Sequence, residues 1–246
     1  MMRISANTHV VLDIEGTVTP VAFVHEILFP YAQRELHSFL TAQKSTPAVL
    51  HIIEQVARDA GAPNFADWCL HPWPSDLAIE WLVEVLHSWM ARDAKHTGLK
   101  ALQGLIWERG YQDGSLTAPV FLDVPPSLRA WIKLGVPVSI YSSGSIAAQK
   151  LLFTYTDSGD LTSLFSHHFD TTSGPKRDRA SYRTIAATLG VEAGRLLFFS
   201  DVPAELDAAR DAGWKTVLVV RPGNILVETT DHPRIHSFAE CETTSI

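Results

Sequence analysis

Cysteine is scarce in this chain: two residues among 246, Cys69 and Cys241, far apart and with no C-x-x-C pair. That excludes a disulfide framework and a zinc ribbon. Cys69-Leu70-His71 offers two ligands side by side but no second pair to complete a site, so no metal is expected there. Runs of Lys or Arg are missing too, and 20 basic against 27 acidic residues leave a formal net charge of −7. Such a field repels polyanions, so nucleic acid and anionic membrane surfaces are not expected partners, whereas one local cationic pocket suffices for a small phosphorylated molecule. No apolar run is long enough to span a bilayer, and "MMRISANTHVVLDIEG" meets an acid too early for a secretory leader. Neither G-x-G-x-x-G nor P-loop spacing occurs. These absences point to a reducing, cytoplasmic setting.

What is present is ordinary in bulk, 46% hydrophobic and 19% charged residues, with length for one large domain or two smaller ones. Its order along the chain is informative. Val10, Val11 and Leu12 predict a buried strand over 9–13, ended by Gly16. Residues 20–120 then look almost purely helical. Phe23, Ile27, Leu28, Tyr31 and Leu36 have helical spacing interrupted by Pro30. Thr46 and Pro47 start a helix stopped at Gly61, and "FADWCLHPWPSD" reads as a connector. Ile79, Leu82, Val83, Leu86, Trp89 and Met90 form an apolar stripe, and a further helix spans Thr97 to Glu108. Five of the seven tryptophans lie in this region, where packing between helices is the expected use.

From Pro125 onward strands and helices alternate. The strands are "VPVSIYSS", "HHFD", "RLLFFS" and "TVLVV". Helices run through "PPSLRAWIKLG", "SIAAQKLLFTY", "DRASYRTIAATLG" and "VPAELDAARDAG". This is the pattern of a parallel sheet covered on both faces, and the early strand has neighbours only if it joins that sheet. The expected architecture is an α/β core, residues 1–19 and 121–246, interrupted by a helical insertion over 20–120. The tail after Glu228 carries no assignable pattern.

In open α/β sheets function gathers at the carboxyl ends of the strands. There stand Asp13, Glu15 and Thr17; Ser142, Ser143 and Gly144; and Ser200 and Asp201, with Glu205 and Asp207 soon after. Lys176 lies in the loop "TSGPKRDR". Carboxylates without histidine or thiolate suit a hard cation such as Mg²⁺. Serine hydroxyls and backbone N–H groups at a helix start suit a phosphate, and a lysine suits phosphoryl oxygens. The combination spells phosphoryl transfer.

D-x-E-G-T, a strand-terminal serine, a downstream lysine and a strand-terminal S-D resemble the four motifs of the haloacid dehalogenase-like phosphohydrolases. "DIEGTVTPVAFVHEILFPYA", "KALQGLIWERGY", "YSSGSIAAQKLLF", "GDLTSLFSHHFDT", "LFFSDV" and "VVRPGN" are similar to segments of the enolase-phosphatases of methionine salvage. Glu15 stands where most of the superfamily carries Asp, a departure that fits this subfamily. The resemblance implies a Rossmann-like core with a helical cap inserted after the first motif. It implies enolisation and dephosphorylation of 2,3-diketo-5-methylthiopentyl 1-phosphate, with one Mg²⁺ per chain, in a monomer. By that resemblance Asp13 is the nucleophile and Glu15 the general acid/base. Ser142, Ser143 and Lys176 bind the phosphate. Asp13, Asp201 and the backbone carbonyl near Glu15 hold Mg²⁺. His25 reads as a surface residue, and His167 and His168 as structural. The rival expectations are a phosphatase for another small ester and a phospho-accepting signalling module.

Overall fold

The computed structural model describes residues 3–92 and 94–244. The chain forms two compact units, one of residues Met1–Val24 with Thr117–Ile246, the other His25–Leu116. In the first unit β1 (Arg3–Ser5) precedes β2 (His9–Leu12), all four of whose residues are buried. A strand covered on both faces needs no alternation, which is why Val10, Val11 and Leu12 follow one another unbroken.

A π-helical turn, Phe23–Leu28, leads into the helical unit: α1 (Phe29–Gln43), α2 (Pro47–Asp59), α3 (Phe65–Trp68), α4 (Asp76–Ala91) and α5 (Thr97–Gln112). Pro30, expected to interrupt the first helix, instead lies in the first turn of α1. Residues 21–43 are nevertheless helical without a break, and the change from π to α winding falls just before the proline, which has no N–H to donate to the turn behind it. Thr46 caps α2 by accepting from Val49 N, with Pro47 behind it. The segment read as a connector contains α3, a single turn capped by Asn64, whose Oδ1 accepts from Asp67 N at 2.9 Å. Tryptophans 68, 73 and 81 set their rings edge-on around buried Phe65, at centroid distances of 5.4–6.2 Å. Trp68 also packs on Trp81 at 4.6 Å and on Trp89 at 6.2 Å. Aromatic packing within the unit accounts for them.

The first unit continues with α6 (Val124–Lys133), β3 (Val138–Tyr141), α7 (Ile146–Thr154), β4 (His167–Phe169), α8 (Arg179–Leu189), β5 (Leu196–Ser200), α9 (Pro203–Asp211) and β6 (Lys215–Val219). The tail that carried no sequence pattern adds β7 (Arg234–Ile235) and β8 (Glu242–Thr244). Strands pair in parallel in the order β4-β3-β2-β5-β6-β7, while β1 pairs with β8 separately. Early β2 is thus a central strand, its Leu12 level with Ile140 on one side and Phe199 on the other. The chain builds outward through β3 and β4, then crosses back to build β5, β6 and β7. That reversal opens a crevice beyond the carboxyl ends of β2 and β5.

The two segments joining the units are tied within the first: Phe121 N donates to Val18 O at 3.0 Å, and Thr19 Oγ1 to Pro119 O at 2.6 Å. Beneath them Arg221 forks onto Asp123, Nη1 to Oδ1 at 2.9 Å and Nη2 to Oδ2 at 3.0 Å. Phe121 and Phe238 flank the guanidinium at 4.4 and 5.0 Å. Burial alone would raise the Asp123 carboxyl. The Arg221 fork, with Phe238 N–H and Ser237, outweighs it and holds the group below its usual value.

Asp123→Asn would leave a buried guanidinium without its counterion, an expected loss of about 3–5 kcal/mol at pH 7, measurable by urea denaturation. A depressed carboxylate stabilises above its unfolded pKa and loses that contribution as pH falls through the folded one. The wild-type advantage over Asp123→Asn should therefore be constant near neutrality and shrink only below about pH 4.

Candidate active site

Asp13 continues β2 by one residue, its N–H donating to Phe199 O at 2.9 Å. The chain then turns back sharply. Ile14 O accepts from the N–H groups of Thr17, Val18 and Thr19, and Gly16 N donates to Thr19 O at 2.8 Å. The turn requires φ +71° at Gly16, and Asp201 Oδ2 stands where a Cβ on that residue would be. Glycine is needed twice over, for its backbone angle and for the approach of Asp201. The D-x-E-G sequence is therefore one device: a strand end, two acids and the turn that lets a third acid in.

Asp13 is 3% exposed, and its carboxylate meets Lys176 Nζ at 2.5 Å. Lys176 Nζ also meets Glu205 Oε2 at 2.6 Å, and the ammonium lies 5.9 Å from the centroids of the Tyr141 and Phe198 rings. Burial by itself would favour the neutral amine. The charges of Asp13 and Glu205 overcome it and push the lysine well above its usual range. Lys176 is held from behind by three hydroxyls on three successive carbonyls. Tyr141 donates to Gly174 O at 2.9 Å, Ser181 to Pro175 O at 2.7 Å, and Tyr182 to Lys176 O at 2.7 Å. A buried cation in a loop needs such an anchor, because nothing in the loop's own secondary structure fixes its direction.

Glu15 receives a 3.5 Å hydrogen bond from Ser142 Oγ. Loss of hydration and then the charge of Asp13 raise its carboxyl above the usual range. Asp201, at the end of β5, is raised to about 7, by burial first and then by Asp13. Ser200 Oγ donates to Glu205 Oε2 at 3.0 Å and lies 3.5 Å from Asp13 Oδ2. Ser142 is buried at the end of β3, and Gly144 N donates to its Oγ at 3.2 Å. Ser143, next along, is exposed.

The structure thus gathers Asp13, Glu15, Ser142, Lys176 and Asp201 at one end of the sheet. Glu205 belongs with them as the second carboxylate on Lys176, a pairing with no sequence signal beyond its position in the first turn of α9, four residues after Asp201. His25 is exposed, with its ring edge-on to Phe29 at 5.7 Å. His168 Nδ1 lies 3.1 Å from Gln149 Oε1, at the edge strand β4.

Among the described residues no three His, Cys, Asp or Glu side chains stand as a ready metal cage. The expected donor set needs only two, Asp13 and Asp201, with a backbone carbonyl. Two features of the molecule fit a hard cation there. The donors are all oxygens. In addition, Asn224 Oδ1, 3.0 Å from the place a Cβ on Gly16 would take, is buried with no donor facing it.

A doubly wound parallel sheet with a buried aspartate–lysine pair at its central strand end defines the class of haloacid dehalogenase-like hydrolases, and that family's profile matches residues 8–213. The chain is 45% identical over 237 residues to Enolase-phosphatase E1 of Synechococcus elongatus, covering 95% of this chain and 97% of the relative. It is 46% identical over 212 residues to Enolase-phosphatase E1 of Erwinia tasmaniensis, covering 86% and 87%. Among solved structures, the UTR4 protein (Unknown transcript 4 protein) of Saccharomyces cerevisiae is similar with a TM-score of 0.77 and 35% identity, over 95% of this chain and 99% of that one. The chain belongs to the enolase-phosphatase family of haloacid dehalogenase-like hydrolases. No helix among the described residues is long and apolar enough to cross a membrane.

Proposed function

We propose that this enzyme is a Mg²⁺-dependent enolase-phosphatase of methionine salvage. It converts 2,3-diketo-5-methylthiopentyl 1-phosphate to the acireductone 1,2-dihydroxy-3-keto-5-methylthiopentene and inorganic phosphate. The observation that carries the phosphatase half is the buried Asp13 carboxylate, ending the central strand and paired with Lys176. The substrate follows from the family. The enzyme acts as a cytoplasmic monomer, and the helical unit serves as a cap.

Asp13 attacks phosphorus, forming an aspartyl-phosphate as the bond to the substrate oxygen breaks. Glu15, whose carboxyl is pushed above its usual range by burial and the charge of Asp13, delivers a proton to the leaving oxygen. As the base it then takes a proton from the water that attacks phosphorus, which frees Asp13 and phosphate. Lys176, ion-paired with Asp13, offers positive charge to the phosphoryl oxygens, while Ser142 and Ser143 bind them. Asp13, Asp201 and the backbone carbonyl of Glu15 would hold Mg²⁺, which when bound neutralises charge on the phosphoryl group.

The test supplies that substrate anaerobically, with Mg²⁺ or with chelator, and follows inorganic phosphate together with the ultraviolet absorbance of the enediol. Both signals are expected together, and both are lost on chelation. Phosphate from other esters alone would overturn the substrate. Glu15→Gln is expected to cut turnover by a factor on the order of 10² or more while Mg²⁺ binding stays largely intact; an unchanged rate removes Glu15 from the chemistry.

A further inference from the structure

The segment Arg221-Pro222-Gly223-Asn224 has no part in the roles above, yet it reaches the turn after Glu15 twice. Arg221 Nε donates to Thr17 O at 3.2 Å, and Asn224 Nδ2 donates to Gly16 O at 2.9 Å. Asn224 N closes the segment on itself by donating to Arg221 O at 3.1 Å. A second bond from Asn224 Nδ2, to Val219 O at 3.3 Å, leaves the amide one orientation. With both acceptors on the nitrogen side, a flip would set two pairs of oxygens against each other.

That orientation turns Oδ1 to the space in front of Gly16, and there it has no donor. Asp201 Oδ2 borders the same space. A buried acceptor with no donor, beside a carboxylate oxygen, costs free energy unless a donor or a cation stands in the space they share. The gap adjoins the oxygens assigned to Mg²⁺.

We propose that Asn224 is a positioning residue for the divalent cation, its Oδ1 accepting a hydrogen bond from water on the ion that Asp13 and Asp201 hold. The inference rests on the Mg²⁺-dependent reading above. It explains why an asparagine side chain from a loop more than 200 positions away is locked onto the turn of the first motif. An acceptor in this place orients bound water and raises the affinity of the site for an ion that retains part of its hydration shell.

Calorimetric titration of Mg²⁺ into the substrate-free enzyme tests it, with the melting temperature of each metal-free variant measured alongside. Asn224→Ala is expected to raise the dissociation constant at least tenfold, the usual scale for outer-sphere partners of a metal. Asn224→Asp keeps an acceptor for the gap but sets its second oxygen against Gly16 O and Val219 O, so it is expected to lower the metal-free melting temperature and still bind Mg²⁺ more tightly than the alanine variant. A role confined to holding the turn predicts that the aspartate variant binds no more tightly than the alanine one, and this result would overturn the proposal. So would an alanine variant that binds within threefold of wild type. Should the alanine variant fail to fold, Asn224→Leu, of similar size and without the polar atoms, takes its place in both comparisons. Wild-type enzyme that does not bind Mg²⁺ would defeat the metal-dependent reading itself, a failure separate from that of Asn224.

Discussion

Asp13→Asn is expected to lower phosphate release by a factor on the order of 10⁴ or more, with the fold retained. The substitution keeps the shape of the side chain but replaces the attacking carboxylate with an amide that cannot form the aspartyl-phosphate. Retention of the fold follows from the ion pairing. Lys176 keeps Glu205 at 2.6 Å when Asp13 is neutralised, so the buried ammonium is not left unpaired. The variant should also bind Mg²⁺ more weakly, having lost one anionic oxygen from a set that has few. Steady-state phosphate release and a melting curve check both halves. Turnover within tenfold of wild type would remove Asp13 as the nucleophile, whereas a variant that does not fold would show that Glu205 alone cannot hold the lysine.

Lys176→Met carries the second large effect. It removes the one ammonium that lies within 2.6 Å of both Asp13 and Glu205. Phosphate release is expected to fall by a factor on the order of 10³ or more, since the developing charge loses a donor in a dry site. Near-normal kinetics would mean that another cation takes its place.

The same substitution has a consequence for stability that runs against the usual trend with pH. Glu205 is already raised, by burial and then by Asp13, with Lys176 lowering it. Without the lysine it rises further above its unfolded value. A carboxyl group with a raised folded pKa costs stability as pH climbs from the unfolded to the folded value. The metal-free variant should therefore gain stability between pH 7 and pH 5 relative to wild type. Urea denaturation at the two pH values reads this directly, and an identical difference at both would show that Asp13 and Glu205 do not share the lysine's charge in solution.

The behaviour of Lys176 shows where reading the chain stopped. Its presence in the loop before α8 was legible, because a lone lysine in "TSGPKRDR" stands between a strand and a helix whose neighbours end in acids and serines. Its partners were not. Choosing Glu205 over Asp207 depends on which face of α9 packs inward, and both lie within the same turn or two. The three hydroxyls that grip Gly174, Pro175 and Lys176 come from Tyr141, Ser181 and Tyr182. Tyrosines inside apolar runs carry no mark distinguishing a hydrogen-bonding role from packing.

The turn after Asp13 divides the same way. The alternation of strands and helices, the apolar run ending at Asp13 and the glycine two residues beyond Ile14 follow from local chemistry. Strand burial, helix caps and turn angles each depend on a few neighbouring residues, and these were readable without a structure. Pro30 lay at the limit of that reading, since whether a proline breaks a helix or only changes its winding depends on how the turn before it adjusts.

Local chemistry did not determine what reaches the turn from a distance: Asp201 filling the place of a side chain on Gly16, Arg221 on Thr17 O and Asn224 on Gly16 O. Nor did it place β7, a two-residue edge strand in a polar tail, whose pairing with β6 depends on a strand already in place. By itself the sequence determined which residues were chemically able to act, because side-chain identity and short-range periodicity are properties of the chain. Only the tertiary structure decided which of them share a proton, a lysine or a cation, because those choices depend on distances across the sheet that no local pattern encodes.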